Sequence, residues 1–154
     1  MTNKSNFIFM FFCLLLLATL TACGGGESSS TSNTQTEVKS ASDPMKNMGI
    51  GPIKNLELPA EVDQEMADLG KVVYEEKCIA CHNMDAKMIG PPQRGVLERR
   101  SPSWVMNMIL NPEGMIKEDP IAKELLAEYN NVPMTNQQLT EEEARQIVEF
   151  FRLN

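Results

Sequence analysis

A cluster of residues that commonly bind metals or cofactors lies near the middle of the chain. In the stretch KCIACHNM, residues 77–84, Cys78 and Cys81 are three positions apart, and the only histidine of the chain, His82, follows directly. Residues three apart share a face on a helical turn. Such a cluster is typical of three kinds of site: a zinc site, a redox-active dithiol and the attachment point of a c-type haem.

The number of available ligands and the secondary structure predicted around the cluster distinguish these three kinds of site. A structural zinc site needs four ligands, and the region after residue 60 offers no second pair of Cys or His residues. A thioredoxin-type dithiol usually follows a strand in a βαβ unit, and no alternating strand pattern is present here. Haem attachment needs two thiols that form thioethers and one imidazole that binds the iron. The sequence therefore predicts one covalent haem c, attached through Cys78 and Cys81 and ligated by His82.

Four segments with helical patterns position this cluster. The first covers residues 63–76 and leads directly into it, and a second, SPSWVMNMILN, ends before Pro112. A third begins after the capping residue Asp119. The last begins after Thr140, which forms a capping-box pattern with Glu143 ahead of apolar residues at i, i+3, i+4 and i+7. These patterns predict an all-α domain.

The first residues of the chain have the pattern of an export signal. Lys4 precedes an apolar run at residues 7–17, which is shorter than the ~20 residues that a membrane-spanning helix needs. The following LTAC resembles the bacterial lipobox, in which the cysteine, here Cys23, is acylated and becomes the new N-terminus. An ordinary secreted protein or a retained signal anchor are the alternatives. We expect a lipoprotein signal peptide over residues 1–22 and a lipid anchor that holds the protein on the periplasmic side of a bacterial membrane.

Two further segments complete the predicted organisation. Residues 24–44 are mostly Gly, Ser, Thr and other polar residues, which cannot bury enough apolar surface to order themselves. The stretch that follows is interrupted by Pro and Gly and predicts an extended arm lying on the domain. Residues 23–60 are therefore interpreted as tether and arm, and residues 61–154 as the domain.

The charge of the chain excludes one class of partner. With 14 basic and 21 acidic residues, the chain lacks the basic surface that nucleic-acid binding requires. The charge is also uneven, because residues 71–100 carry a net charge of +2 while residues 23–70 and 101–154 each carry −5. We expect no nucleic-acid partner and a monomeric protein.

Residues 61–154 resemble class I cytochromes c, and in particular small monohaem lipoproteins of bacterial respiratory chains. The resemblance rests on a first helix with Gly70 and Tyr74, then CIACH, GPP, a middle helix with Trp104, a loop methionine and a closing amphipathic helix. It implies a fold of about four helices wrapped around the haem. It also implies an electron-transfer protein without substrate chemistry of its own.

The second axial ligand cannot be a histidine, since His82 is alone. Met134, in the loop NNVPMTNQQLT, matches the position of the axial methionine in the resembling family, and Met115, also expected in a loop, is the runner-up. The other methionines near or inside the domain are less suitable, because Met84 and Met88 are too close to His82 and Met106 and Met108 belong to the middle helix.

Four further residues are candidates for supporting the haem. A ligating imidazole normally donates its second N–H to an oxygen, and the resemblance implies the carbonyl of Pro91, with Pro92 as the near alternative. Trp104 is expected either to donate its indole N–H to a haem propionate or to fill the core. Arg99 and Arg100 are expected either to neutralise propionates or to remain solvated.

Two protein axial ligands leave no open site for substrate, so the predicted function is transfer of single electrons. The resemblance implies a donor that oxidises quinol and an acceptor that is a terminal oxidase or a nitrogen-oxide reductase, such as nitrous oxide reductase. Two alternatives remain open. The domain is a fixed subunit of a larger oxidoreductase, or a labile Met134 leaves a haem that binds or senses gases.

Overall fold

The computed structural model of the protein describes residues 43–154, so the predicted signal peptide and most of the tether lie outside the described part. This part contains helices and no strand, and none of its helices has the length and apolar character needed to cross a membrane. The helices are α1 (Gln64–Lys77), α2 (Val96–Arg99), α3 (Pro102–Leu110), α4 (Pro112–Glu118), α5 (Pro120–Glu128) and α6 (Glu141–Phe151).

The predicted helices correspond to α1, α3, α5 and α6, and side-chain caps define where they begin. The side chains of Asp63, Ser101 and Asp119 accept N–H groups in the first turns of α1, α3 and α5. At α6, Thr140 and Glu143 form the predicted capping box, with both of its hydrogen bonds present. The all-α prediction is confirmed.

Besides the four predicted helices, the structure contains two short helices, α2 and α4, that were not predicted. Pro112 ends α3 as expected, but it is also the first residue of α4, a position that suits proline because its missing N–H would have no partner there. Asn111 caps α4 by accepting the N–H of Gly114. Met115 therefore lies in a helix, and the prediction that it lies in a loop was wrong.

Helices α1 and α6 cross at very close range. A Cβ atom on Gly70 would lie 2.0 Å from the backbone oxygen of Gln146, so only glycine fits at the crossing. One turn further along α1, the ring of Tyr74 packs edge-on against Phe151 with centroids 5.8 Å apart. The crossing fixes the direction in which α1 leads into the CIACH segment.

A buried carboxylate holds the start of α1 against the end of the chain. Glu149 is fully buried and lies 2.5 Å from the guanidinium groups of both Arg145 and Arg152. It also accepts the backbone N–H of Asp63 at 2.8 Å. Burial by itself would raise the pKa of Glu149, but the hydrogen bond from Asp63 and the two arginines outweigh it and hold this pKa below its ordinary value.

The residues before α1 form an arm without helix that packs on the helices as part of the same compact unit. Asn107 of α3 is fully buried and binds the arm three times. Its amide nitrogen donates to the carbonyls of Met48 and Ile53, each at 2.8 Å, and its oxygen accepts the N–H of Ile53 at 3.0 Å. The backbone polar groups of the arm are thus satisfied by side chains of the domain.

Candidate functional site

A cavity of about 350 Å³ lies between the CIACH segment and the loop after α5. Its volume is within the range of sites that bind small molecules and cofactors. Most of its lining side chains are apolar, and the ionised side chains that line it are all basic: Lys77, Arg99 and Arg100. Cys78, Cys81, His82 and Met134 line this same cavity.

The cysteines of the motif lie on a hydrogen-bonded turn that continues α1. Cys78 is the C-terminal cap of the helix, and its carbonyl accepts the N–H groups of Cys81 at 3.1 Å and His82 at 2.9 Å. Cys78 is half-buried, Cys81 is exposed, and no disulfide joins them. Burial and the neighbouring Cys81 raise the pKa of the Cys78 thiol to about 11, so these surroundings favour the neutral thiol over the thiolate.

The loop after the motif holds the imidazole of His82. Nδ1 of His82 lies 2.9 Å from the carbonyl oxygen of Pro91, while the carbonyl of Pro92 accepts a hydrogen bond from Arg99 instead. A Cβ atom on Gly90 would lie 2.3 Å from Cε1 of the ring, so the backbone passes directly against the imidazole. Burial lowers the pKa of His82, although the hydrogen bond to Pro91 acts in the opposite direction. The neutral form that binds metals is thereby favoured.

Two methionines of the described residues line the cavity, Met134 and Met108. Met134 follows a reversal of the chain after α5, where Asn130 and Asn131 adopt left-handed conformations with φ of 59° and 57°. Met115 does not line the cavity. It is fully buried, and its sulfur accepts the N–H of Ile50 in the arm at 2.9 Å, so the runner-up ligand is already engaged elsewhere.

Trp104 lines the cavity and is buried in the core, so of the two roles expected for it the structure favours core packing over a hydrogen bond to a propionate. Nε1 of Trp104 donates to Oδ1 of Asp119 at 3.0 Å. Asp119 is buried, accepts the amide of Asn47 from the arm at 2.6 Å and caps α5. The indole therefore belongs to a network that joins the arm, α3 and α5.

Arg99 and Arg100 also line the cavity. Arg99 donates to the carbonyls of Arg94 and Pro92 at 2.7 and 2.5 Å, and Arg100 lies over the ring of Trp104 at 5.5 Å from its centroid. Within residues 43–154 neither guanidinium forms an ion pair with a carboxylate. Burial, together with the neighbouring Arg99, lowers the pKa of Arg100, so an anion in the cavity would be stabilised here.

Several cavity residues were not assigned a role at the site from the sequence. The hydroxyl of Tyr74 is the one buried side-chain polar atom in residues 43–154 without a hydrogen-bond partner, and Tyr74 lines the cavity. An unpaired buried donor of this kind fits a cavity built to hold a group with acceptors. Gly90 and Gln93 lie against the imidazole, and their only signal in the sequence is that Gly90 opens the GPP segment and Gln93 follows it.

The comparisons with known proteins agree with this geometry. The cytochrome c family matches residues 67–153, and the chain belongs to this family. A cytochrome c from Rhodothermus marinus is 42% identical over 67% of this chain and 88% of its own, with a TM-score of 0.65. An engineered cytochrome c from the same organism, bound to a carbene intermediate, is 41% identical over 67% of this chain and 88% of its own, with a TM-score of 0.62.

A more distant structure, the cytochrome c domain of a Pseudomonas putida protein, is 26% identical over 55% of this chain and 85% of its own, with a TM-score of 0.51. No curated protein sequence matches significantly. The fold is that of class I cytochromes c, the cofactor is a covalently attached haem c, and the chain is a haem c electron carrier. The cavity fits this cofactor, because two thiols, an imidazole and a thioether line the same largely apolar cavity.

Proposed function

We propose that the protein is a membrane-tethered periplasmic carrier that passes single electrons through a haem c ligated by His82 and Met134. The observation that carries this proposal is that Cys78, Cys81, His82 and Met134 line one apolar cavity. The haem supplies a one-electron couple when bound. Histidine and methionine together raise the reduction potential relative to harder ligands, and burial raises it further.

Each of these residues has a separate task in the proposal. Cys78 and Cys81 hold the cofactor by covalent bonds at the end of α1, and the Pro91 carbonyl orients His82. Apolar side chains of α3 and α5 line the cavity and would shield a bound haem from water. With both axial positions occupied by side chains, no coordination site is open to a substrate, so the proposed role includes no substrate chemistry.

The axial assignment is tested by comparing Met134→Ala with Met108→Ala, since both methionines line the cavity. In the oxidised wild-type protein we expect the weak far-red absorption band that methionine ligation gives in this family. Met134→Ala should lose the band and lower the midpoint potential, while Met108→Ala should keep both. If only Met108→Ala lost the band, Met108 and not Met134 would be the axial ligand. Its absence from the wild-type protein would favour the gas-binding alternative.

We propose further that Cys23 carries the lipid that tethers the protein to the membrane. The lipobox pattern supports this, although Cys23 lies outside the described residues. Membrane fractionation of the wild type, Cys23→Ser and the control Cys13→Ser tests it. We expect wild type and Cys13→Ser in the membrane fraction, and Cys23→Ser to be released or unprocessed. An intact-mass measurement should show acyl chains on Cys23, and a Cys23→Ser protein that stays processed and membrane-bound would contradict the proposal.

The proposed partners are a quinol-oxidising complex as donor and a terminal oxidase or nitrogen-oxide reductase as acceptor. We propose that docking uses the surface around the cavity, because its ionised lining is basic while the chain carries a net charge of −7. Exposed Ile89 and Val132 also line the cavity and offer an apolar contact.

Because charges take part in this docking, electron-transfer rates to the partner should change with ionic strength. Rates that are indifferent to salt would contradict this surface, and stoichiometric copurification with a larger complex would favour the fixed-subunit alternative.

A further inference from the structure

The hydrogen bond that orients His82 has a third participant. The amide nitrogen of Gln93 lies 2.7 Å from the carbonyl oxygen of Pro91 and 2.8 Å from Nδ1 of His82. The carbonyl of Pro91 is in turn 2.9 Å from Nδ1. These three atoms lie close together on the Nδ1 side of the imidazole, and the loop residues Pro91 and Gln93 are half-buried.

The need for a free ring nitrogen decides which group carries the proton. If Nδ1 accepted a hydrogen bond from Gln93, the proton of the neutral ring would be on Nε2, and neither nitrogen would be left for the iron. We therefore assign the proton to Nδ1, which donates to Pro91 and leaves the lone pair of Nε2 free. Gln93 then donates to the same carbonyl and shares it with His82.

We propose that Gln93 is a positioning residue that tunes the electron carrier by limiting the strength of the hydrogen bond between His82 and Pro91. This inference rests on the proposed ligation by His82. A strong acceptor at Nδ1 makes the imidazole a better electron donor, which favours ferric iron and lowers the potential. Because Gln93 donates to the carbonyl of Pro91, this oxygen accepts the N–H of His82 less strongly, and the imidazole remains a weaker electron donor. It thus holds the potential of the carrier high.

Two substitutions separate this effect from simple packing. Gln93→Leu removes the competing donor at similar volume, and the full Pro91 carbonyl becomes available to His82. Gln93→Glu goes further, because it replaces the donor near Nδ1 by an acceptor. Gln64→Leu is the matched control, since Gln64 is exposed at the start of α1 and bonds only to Asp68.

The measurement is a spectroelectrochemical titration of the haem-loaded full-length protein and its variants. At a fixed electrode potential, Gln93→Leu should lower the ratio of reduced to oxidised protein roughly fivefold, the effect of about one neutral hydrogen bond. Gln93→Glu should lower the ratio further, and Gln64→Leu should leave it unchanged. A tenfold change corresponds to about 59 mV for a one-electron couple.

Spectra of the same samples distinguish a failure of the proposed haem ligation from a failure of the proposed role of Gln93. If the wild type lacks the spectrum of histidine and methionine ligation, the proposed function fails, and the inference on Gln93 fails with it. If all variants keep that spectrum while their potentials equal that of the wild type, only the role of Gln93 is refuted. A potential that rises in Gln93→Leu would also refute it. If Gln93→Leu does not fold, Gln93→Met also removes the donor without adding a charge, and a potential that falls in this variant supports the role.

Discussion

Replacement of Glu149 by glutamine should remove a large, pH-dependent part of the stability of the domain. Glutamine keeps the shape and an oxygen that accepts the N–H of Asp63, but it leaves two guanidinium groups without a counter-charge. Their side chains are only 18% and 13% exposed, so water compensates them poorly. Removal of one partner from a buried ion pair costs about 3–5 kcal/mol, and the partial exposure here places the expected loss near the lower value, about 3 kcal/mol.

The dependence on pH follows from the lowered pKa of Glu149 in the folded protein. A carboxyl group with a depressed folded pKa stabilises fully above its unfolded pKa, which is about 4.3 for glutamate. That stabilisation is lost as pH falls through the folded value. The stability difference between wild type and Glu149→Gln should therefore be full at neutral pH and shrink below about pH 4.

Urea unfolding followed by far-UV circular dichroism measures this difference without adding salt. With a slope of about 1.5 kcal/mol per M, a loss of 3 kcal/mol lowers the urea midpoint by about 2 M at neutral pH. Glu76→Gln, an exposed change on α1, is the control and should alter the free energy of unfolding by less than about 0.5 kcal/mol. Equal midpoints for wild type and Glu149→Gln at neutral pH, or a difference that does not shrink in acid, would refute the reasoning.

Three further substitutions have defined outcomes. Gly70→Ala would bring a methyl group to 2.0 Å from the Gln146 oxygen and should destabilise the domain by about 1–3 kcal/mol in the same urea assay. Gly90→Ala would meet the His82 ring at 2.3 Å and should change the visible spectrum of the haem protein by displacing the imidazole. Asn107→Ala would leave the arm without three hydrogen bonds, and limited proteolysis should then cleave the arm faster than in the wild type.

Control substitutions at neighbouring or similar positions distinguish these effects from a general loss of stability. Lys71→Ala alters the exposed position next to Gly70 and should leave the urea midpoint almost unchanged. Asn55→Ala changes an exposed asparagine of the arm that bonds only to Glu57, and should not accelerate cleavage. A wild-type spectrum in Gly90→Ala would contradict the close packing against His82. Unchanged proteolysis in Asn107→Ala would show that other contacts hold the arm.

The helices that could be predicted are those whose start signals are local in sequence. Asp119 and Thr140 each cap a helix through residues within one turn, so spacing alone was sufficient to indicate them. Pro112 was interpreted only as the end of α3, although proline suits the first turn of a new helix equally well. The missed helix α4 follows from that ambiguity, and so does the wrong setting expected for Met115.

The contacts that could not be predicted join residues far apart in the sequence. The partner of the Trp104 indole is Asp119, and the sulfur of Met115 is bonded by Ile50. Neither partner is suggested by periodicity or by a motif, because the choice of partner depends on how the arm and helices pack. The CIACH segment, in contrast, contains its own chemistry within consecutive residues, which is why the haem was evident before the fold.

The pairing of α1 with α6 also makes the support of the CIACH segment depend on a distant part of the chain. The segment that packs on α1 at Gly70 belongs to α6, which is synthesised well after α1. Until α6 is in place, the face of α1 around Gly70 and Tyr74 lacks the partner that it has in the folded domain. A chain truncated before α6 would also lose Ile147 and Phe151 from the wall of the cavity, and the haem site would be open to water on that side.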